Sequence, residues 1–304
     1  MEPSYLLLSP LANWRGGDLV LSPGLSIRKL NESERDRVED GEPAGFWLSH
    51  EFENPHPAET GRHKKRRESA FRHVNHAVYA IQILSPCGWN GLVHLFRCDS
   101  RESWTSEATE HRHPFLPTAW GARCLAPANA AREAPALLER VQEAFLKPVL
   151  RLQIPIWLLE QGLAAPDPHI RILLCATGLD SLTRASGQAA FSERLCDLLG
   201  GDSLIFPPDE AGRQPRYRVA DIAGHLYQLR NEMAHGLPFQ AIFHKKTGFL
   251  GADGEPLAAE FAKYRYDKVL EECAVFLLCR VLREVLLKRL IFDLHMMEWR
   301  GTEA

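Results

Sequence analysis

Residues 218–238, RVADIAGHLYQLRNEMAHGLP, decide how the carboxy-terminal half of this chain is interpreted. Apolar residues recur in this stretch at three- and four-residue intervals, which predicts a helix over residues 218–235. Gly236 is suited to cap the end of that helix, and Pro238 prevents its continuation. A helix with a defined carboxy-terminal end is therefore expected here.

Three polar side chains stand close together at this predicted helix end: Arg230, Asn231 and His235. Asn231 and His235 are four residues apart and share a face, while Arg230 lies about 100° round the helix and can reach across. A guanidinium can hold two phosphate oxygens, and an imidazole can transfer a proton near neutral pH. The three residues are candidate catalytic groups. Spacing alone is a weak signal, and an arginine and a histidine that merely finish a helix remain the alternative.

Helical periodicity extends through the second half of the chain. Similar patterns occur at residues 134–152, 169–185, 189–199 and 258–298. They predict a helical bundle. Its core is expected to contain the leucines Leu174, Leu179, Leu182, Leu195, Leu199, Leu226 and Leu229.

The first half has a different character, because short segments rich in β-branched and aromatic residues predict strands. These segments are DLVLSPGLSIRKL (18–30), VNHAVYAIQIL (74–84) and NGLVHLFRC (90–98). Asn31 and Glu34 have the spacing of a capping box at the start of a short helix. A stretch rich in Pro, Ala and Gly at 113–131 resembles a linker. We therefore expect an α+β fold, with a β-rich or mixed domain over residues 1–130 and a helical domain over 131–304.

Composition and charge limit the function. The net charge is −3, so binding to nucleic acid would have to come from a local basic patch. Seven cysteines without a Cys-x-x-Cys pair suit buried thiols in a reducing cytoplasm. The amino terminus does not resemble a signal peptide, and no apolar run is long enough to span a bilayer. A cytoplasmic protein without membrane association is expected.

Three segments of the helical half, in this order, resemble the Apea-like branch of the HEPN family. They are ATGLDSL (176–182), FSERLCDLLG (191–200) and LYQLRNEMAHG (226–236). The family signature is an arginine, a polar residue and, after several positions, a histidine. Arg230, Asn231 and His235 match it. Relatives commonly carry glutamate where this chain has Asp180.

The resemblance implies a fold and an activity. Many HEPN proteins are helical, metal-independent ribonucleases of prokaryotic defence and toxin systems. It implies catalytic roles for Arg230, Asn231 and His235, a supporting role for Asp180, and no metal or cofactor. It also implies a homodimer through the helical domain, in which two motifs share one cleft. The amino-terminal domain would then sense a protein or phage-derived trigger, and RNA would be the substrate.

Basic residues around the motif could line a path for RNA. They are Arg213, Arg216, Arg218, Lys245 and Lys246. Solvated loop charges explain them equally well. The denser run GRHKKRRE, residues 61–68, is interpreted as an exposed loop without a catalytic role.

Other chemistries have weaker support. His73, His76, His94, His111, His113, Cys87 and Cys98 fall in one region, but their spacing matches no zinc site. The sequence contains no Walker-type loop and no Gly-x-Ser-x-Gly elbow. Two functional classes remain: a ribonuclease of the HEPN type, and a HEPN-like module that binds nucleic acid or a protein partner without cutting.

Overall fold

The structure is a computed structural model. It describes residues 4–12, 14, 17–36, 38, 45–53, 60–86, 88–89, 91–98, 104–111, 127–147, 151–208, 214–236 and 266–302. The chain forms two compact units, which we call unit 1 (Met1–Gln142) and unit 2 (Glu143–Ala304). Their boundary falls later than the predicted one at residue 130.

Unit 1 is built on an antiparallel sheet whose central strand is β1. The strands are β1 (Ser4–Ala12), β2 (Leu19–Ser22), β3 (Leu25–Lys29), β4 (Phe46–Glu53), β5 (Gly88–Trp89), β6 (Leu92–Cys98) and β7 (Trp104–His111). Their order is β2-β3-β4-β1-β6-β7, and the short β5 pairs with the end of β1. Leu6, Leu7 and Leu8 are all buried, so β1 is covered on both faces.

The two faces of this sheet are covered differently. Leu6, Leu8, Trp47 and Phe96 form an apolar cluster on one face. On the other face lies α2 (Thr60–Leu84), since the rings of His50 on β4 and His73 on α2 are 4.9 Å apart. The short helix α1 (Glu32–Arg35) begins with the predicted capping box of Asn31 and Glu34, which is confirmed.

Two of the local predictions for unit 1 were wrong, and a third is confirmed. Residues 74–84 are helical, not a strand, because their buried positions recur at helical spacing and continue the helix that begins at Thr60. The run 61–68, predicted as a loop, has a helical backbone within α2. The strand prediction for 18–30 is confirmed: the segment forms β2 and β3, which are joined in a hairpin that turns at Gly24, where φ is +74° and a Cβ would collide with the Glu51 carbonyl oxygen.

Unit 2 is mainly helical. Its helices are α4 (Gln153–Ala164), α5 (Pro168–Thr183), α6 (Gln188–Leu199), α7 (Val219–Ala234) and α8 (Tyr266–Lys288), and α3 (Pro127–Leu146) runs into it from unit 1. The helix α4, which contains Pro155, was not predicted. The last helix is shorter than predicted, because residues 290–301 form a hairpin of β8 (Leu290–Asp293) and β9 (Glu298–Gly301). The α+β class is confirmed.

Close packing holds α4, α5 and α8 together. At Gly178 of α5 a Cβ would lie 3.0 Å from the Leu278 side chain, so this glycine lets α8 approach. A buried ion pair joins Arg171 to Glu271 at 2.5 Å, and Arg171 also donates hydrogen bonds to the carbonyls of Gly162 and Ala165. Removing one partner of such a pair typically costs about 3–5 kcal/mol.

Five of the seven leucines predicted for this core are buried: Leu179, Leu182, Leu195, Leu226 and Leu229. Leu174 and Leu199 are partly exposed. Within the described ranges, no helix combines the length and the apolar composition needed to cross a bilayer.

Candidate functional site

The candidate site lies where the end of α7 meets α5. The Arg230 Nη2 donates a hydrogen bond to Asp180 Oδ2 at 2.5 Å, and its Nη1 donates to Asn231 Oδ1 at 2.6 Å. The guanidinium carbon lies 5.6 Å from the centre of the Tyr227 ring, within the range of a cation–π contact. Arg230 is therefore held on three sides by residues of α5 and α7.

Arg230 remains accessible despite these contacts. Its side chain is 25% exposed, and that of Asp180 is 17% exposed. The packing beneath it is apolar, because Tyr227 stands against Phe191 of α6 with ring centres 5.1 Å apart. The guanidinium thus sits at the edge of the core, with one side open to solvent.

The surroundings of Asp180 disfavour its charged form. Burial raises the pKa of its carboxyl group above the ordinary value, and the attraction and hydrogen bond of Arg230 offset only part of that effect. Its Oδ1 is buried and accepts no hydrogen bond from any residue that the structure describes. Without Arg230, this partly buried carboxylate would lose its ion-pair partner.

His235 follows directly after the last residue of α7. Its N–H donates to the Asn231 carbonyl at 3.0 Å, and Gly236, at φ +76°, donates to the Met233 carbonyl at 3.0 Å. Gly236 thus caps the helix, as its position in the sequence predicts. The His235 side chain is exposed, and its ring makes no hydrogen bond to the described residues.

The motif residues therefore share one helix end but play different parts. Arg230 and Asn231 are in direct contact, whereas His235 stands free at the last turn. Arg230 has a fixed orientation and could bind an anion. His235 is free to meet a ligand and exchange a proton with it.

The predicted RNA-binding residues do not all gather here. Arg218 immediately precedes α7, 12 positions before Arg230, which corresponds to roughly 18 Å along a helix axis. Its guanidinium lies 3.4 Å from the Asp202 carboxylate. Arg216 is exposed just before it. Arg213, Lys245 and Lys246 lie outside the described residues.

No metal site emerges among the described residues, where no three His, Cys, Asp or Glu side chains gather as an ion would require. His73 and His76 lie on α2, and His94 lies on β6. Cys87 and His113 lie outside the described part of the chain.

Sequence reasoning missed the turn that follows α5. Arg184 ends this helix in a left-handed conformation, and the buried Arg194 of α6 binds its carbonyl. Arg184 belongs to none of the quoted segments, and Arg194 lies within FSERLCDLLG (191–200) without being a candidate site residue there. The one feature of the sequence that points to Arg184 is its position, four residues and so one helical turn after Asp180.

Comparison of the chain with models of protein families, with curated proteins and with solved structures finds no match. The assignment to the HEPN family therefore stays a prediction that depends on the three segments quoted above.

Proposed function

We propose that this protein is a metal-independent endoribonuclease of the HEPN type that acts in the cytoplasm, in antiphage defence or as a toxin. The observation that carries this proposal is the pairing of an oriented, partly open guanidinium with an exposed imidazole at one helix end. Arg230 is fixed by Asp180 and Asn231, while His235 is free to move a proton.

The proposed reaction is cleavage by the neighbouring 2′-hydroxyl. His235 removes the hydroxyl proton, the oxygen attacks phosphorus, and the P–O5′ bond breaks. A 2′,3′-cyclic phosphate and a 5′-hydroxyl result, and the departing oxygen takes up a proton. Arg230 stabilises the negative charge that builds up on the phosphate oxygens. Asn231 orients Arg230 through their hydrogen bond.

One imidazole serves poorly as base and acid at the same moment. We propose a homodimer through the helical unit, in which His235 of the partner subunit protonates the departing oxygen. Unit 1 would then receive a protein or phage-derived trigger.

The experiment compares wild type with Arg230→Ala and Arg230→Lys on total RNA or tRNA in the presence of EDTA. Lysine keeps a positive charge opposite Asp180 but cannot hold two phosphate oxygens with a planar fork. We expect cleavage by wild type and a loss of about 100-fold or more in both variants. Circular dichroism checks that the variants are folded.

A second candidate is a module that binds RNA or a protein without cutting. It is favoured by one observation: both terminal nitrogens of the Arg230 guanidinium already donate hydrogen bonds within the chain. The guanidinium is then less free to follow the charge that builds up on a phosphate during cleavage. Wild type that binds RNA yet leaves it intact, with or without EDTA and at any protein concentration, would support this candidate and contradict the nuclease.

A further inference from the structure

The turn after α5 carries an arginine in an unusual conformation. Arg184 has φ +53°, a left-handed value that glycine adopts easily and other residues rarely adopt. Its N–H donates to the Asp180 carbonyl at 2.7 Å, so it stands one helical turn beyond the carboxylate that holds Arg230. An exposed arginine occupies a helix end that glycine would suit better.

This turn is held in place from beneath by Arg194 of α6. The Arg194 Nη1 donates to the carbonyl oxygens of Thr183 and Arg184 at 2.8 and 2.7 Å. Arg194 is 4% exposed, so these bonds lie away from solvent. A buried cation at the carboxy-terminal end of a helix also complements the helix dipole. The Arg184 backbone is thus fixed, although its conformation is unfavourable.

The C-terminal hairpin in turn fixes Arg194. The guanidinium carbon of Arg194 lies 4.1 Å from the centre of the Phe292 ring, and the Trp299 indole N–H donates to the Arg194 carbonyl at 2.9 Å. Phe292 and Trp299 pack edge to face on the side of the hairpin that meets α6. The β8–β9 hairpin therefore supports the turn that presents Arg184.

The Arg184 side chain differs from the other arginines around it. Arg171, Arg194 and Arg230 all donate hydrogen bonds within unit 2. For Arg184, only the backbone is engaged in the described part of the chain, and the side chain is exposed. Arg184 lies one helical turn after Asp180, the residue that holds Arg230, and its exposed guanidinium is available to a second anionic group of a ligand bound there.

We propose that Arg184 binds a backbone phosphate of single-stranded RNA next to the phosphate held by Arg230, and that Arg194 and the hairpin position it. The proposal depends on RNA being the ligand of the site, as argued above. It gives the C-terminal hairpin a function, which is to hold a substrate-binding turn, and it makes Arg184 a binding residue without a part in proton transfer.

Binding of a fluorescently labelled, uniformly 2′-O-methylated single-stranded RNA tests the proposal, because this RNA lacks the attacking hydroxyl. Anisotropy is measured over a salt series for wild type, Arg184→Ala, Arg184→Gly and the control Arg132→Ala, which removes an exposed arginine of unit 1. Glycine suits the left-handed turn, so Arg184→Gly keeps the fold while it removes the cation.

We expect both Arg184 variants to bind about tenfold more weakly. The slope of log affinity against log salt should fall by about 0.7, the contribution of one phosphate contact. Arg132→Ala should change affinity less than about twofold. If wild type binds and the Arg184 variants match Arg132→Ala, the inference fails and the proposed function stands. If wild type neither binds nor cleaves any RNA, both fail.

Discussion

His235 of unit 2 and the histidines that α2 and β4 contribute to the packing of unit 1 have opposite environments. In unit 1, His50 and His73 pack against each other between β4 and α2, and burial lowers the pKa of both. Burial also lowers the pKa of His76 to about 4, with the charges of His73 and Arg72 as smaller causes. In unit 2, His235 stands exposed after the last turn of α7.

The difference shows how burial assigns histidines to different tasks. A buried imidazole is kept neutral, because removing its charge from water is unfavourable, and it then serves as a packing group. His50 follows this pattern, since its Nδ1 lies 3.2 Å from the Gly24 carbonyl oxygen at the β2–β3 turn. An exposed imidazole at a helix end can meet a ligand. Burial therefore suits the histidines of β4 and α2 to packing, whereas exposure leaves His235 open to the chemistry proposed for it.

Replacing His235 with alanine tests the chemical half of this comparison and should have the largest effect. Loss of a general acid or base typically costs about 10²–10⁴ in rate, so RNA cleavage should fall by that factor. The free energy of unfolding should change by less than about 0.5 kcal/mol, because the side chain is exposed. Single-turnover cleavage and urea unfolding measure the two quantities.

His295→Ala is the matched control, since His295 is an exposed histidine in the turn between β8 and β9. It should leave cleavage within about twofold of wild type. Equal activity of His235→Ala and His295→Ala would break the comparison, because it would remove any chemical difference between these two exposed imidazoles.

Lowering the pH tests whether the histidines of unit 1 stabilise the fold as neutral packing groups. The folded-state pKa of His76, about 4, lies below its ordinary value of 6.5. The unfolded chain therefore binds the proton first, and the stability that depends on neutral His76 is present above pH 6.5 and is lost as the pH falls toward 4. After allowance for solvent screening, we expect a loss of about 1–3 kcal/mol.

Amide hydrogen exchange locates this loss. After correction for the intrinsic exchange rate, peptides of α2 and β4 should lose protection between pH 7 and pH 5, and His76→Gln should lose less. Peptides of α7 provide the internal reference. Protection in α2 and β4 that stays constant over this range would show that His76 is protonated as easily in the folded chain as in the unfolded chain.

The sequence was sufficient for the parts of the fold that local chemistry decides. The capping box at Asn31 and Glu34, the helix end at Gly236 and the five buried leucines of unit 2 follow from short-range patterns. The α+β class follows from the change of periodicity between the two halves.

Tertiary contacts decided the rest. Residues 74–84 are rich in β-branched residues but form a helix, because helical spacing turns their apolar side chains into the core of unit 1. The hairpin at 290–301 replaced a predicted helix, and Arg289 precedes it in a left-handed conformation that ends α8. The contact of Arg230 with Asp180 joins residues 50 positions apart, and only the family resemblance had suggested it.

Replacing Asp180 should have a smaller effect on stability than protonation of His76. The pH dependence of stability at Asp180 should also be opposite in sign to that at His76 of unit 1. Because burial raises the pKa of its carboxyl group, the folded chain binds this proton more readily than the unfolded chain. Stability is then lost as the pH rises through the range just above the ordinary value of 3.8, opposite to His76. Asp180→Asn keeps an oxygen that can accept from Arg230 but removes the charge.

At pH 7 we therefore expect Asp180→Asn to be as stable as wild type or more stable by up to about 1 kcal/mol, and the difference should vanish toward pH 4. Cleavage should fall by about tenfold, because Arg230 loses its charged partner and is held less firmly. Urea unfolding at several pH values and initial cleavage rates measure these effects. A variant that is clearly less stable at pH 7 and cleaves normally would make the carboxylate a packing group, like the buried imidazoles of unit 1. Greater stability with lower activity would mean that unit 2 tolerates an unfavourable buried charge because the arginine at the site requires it.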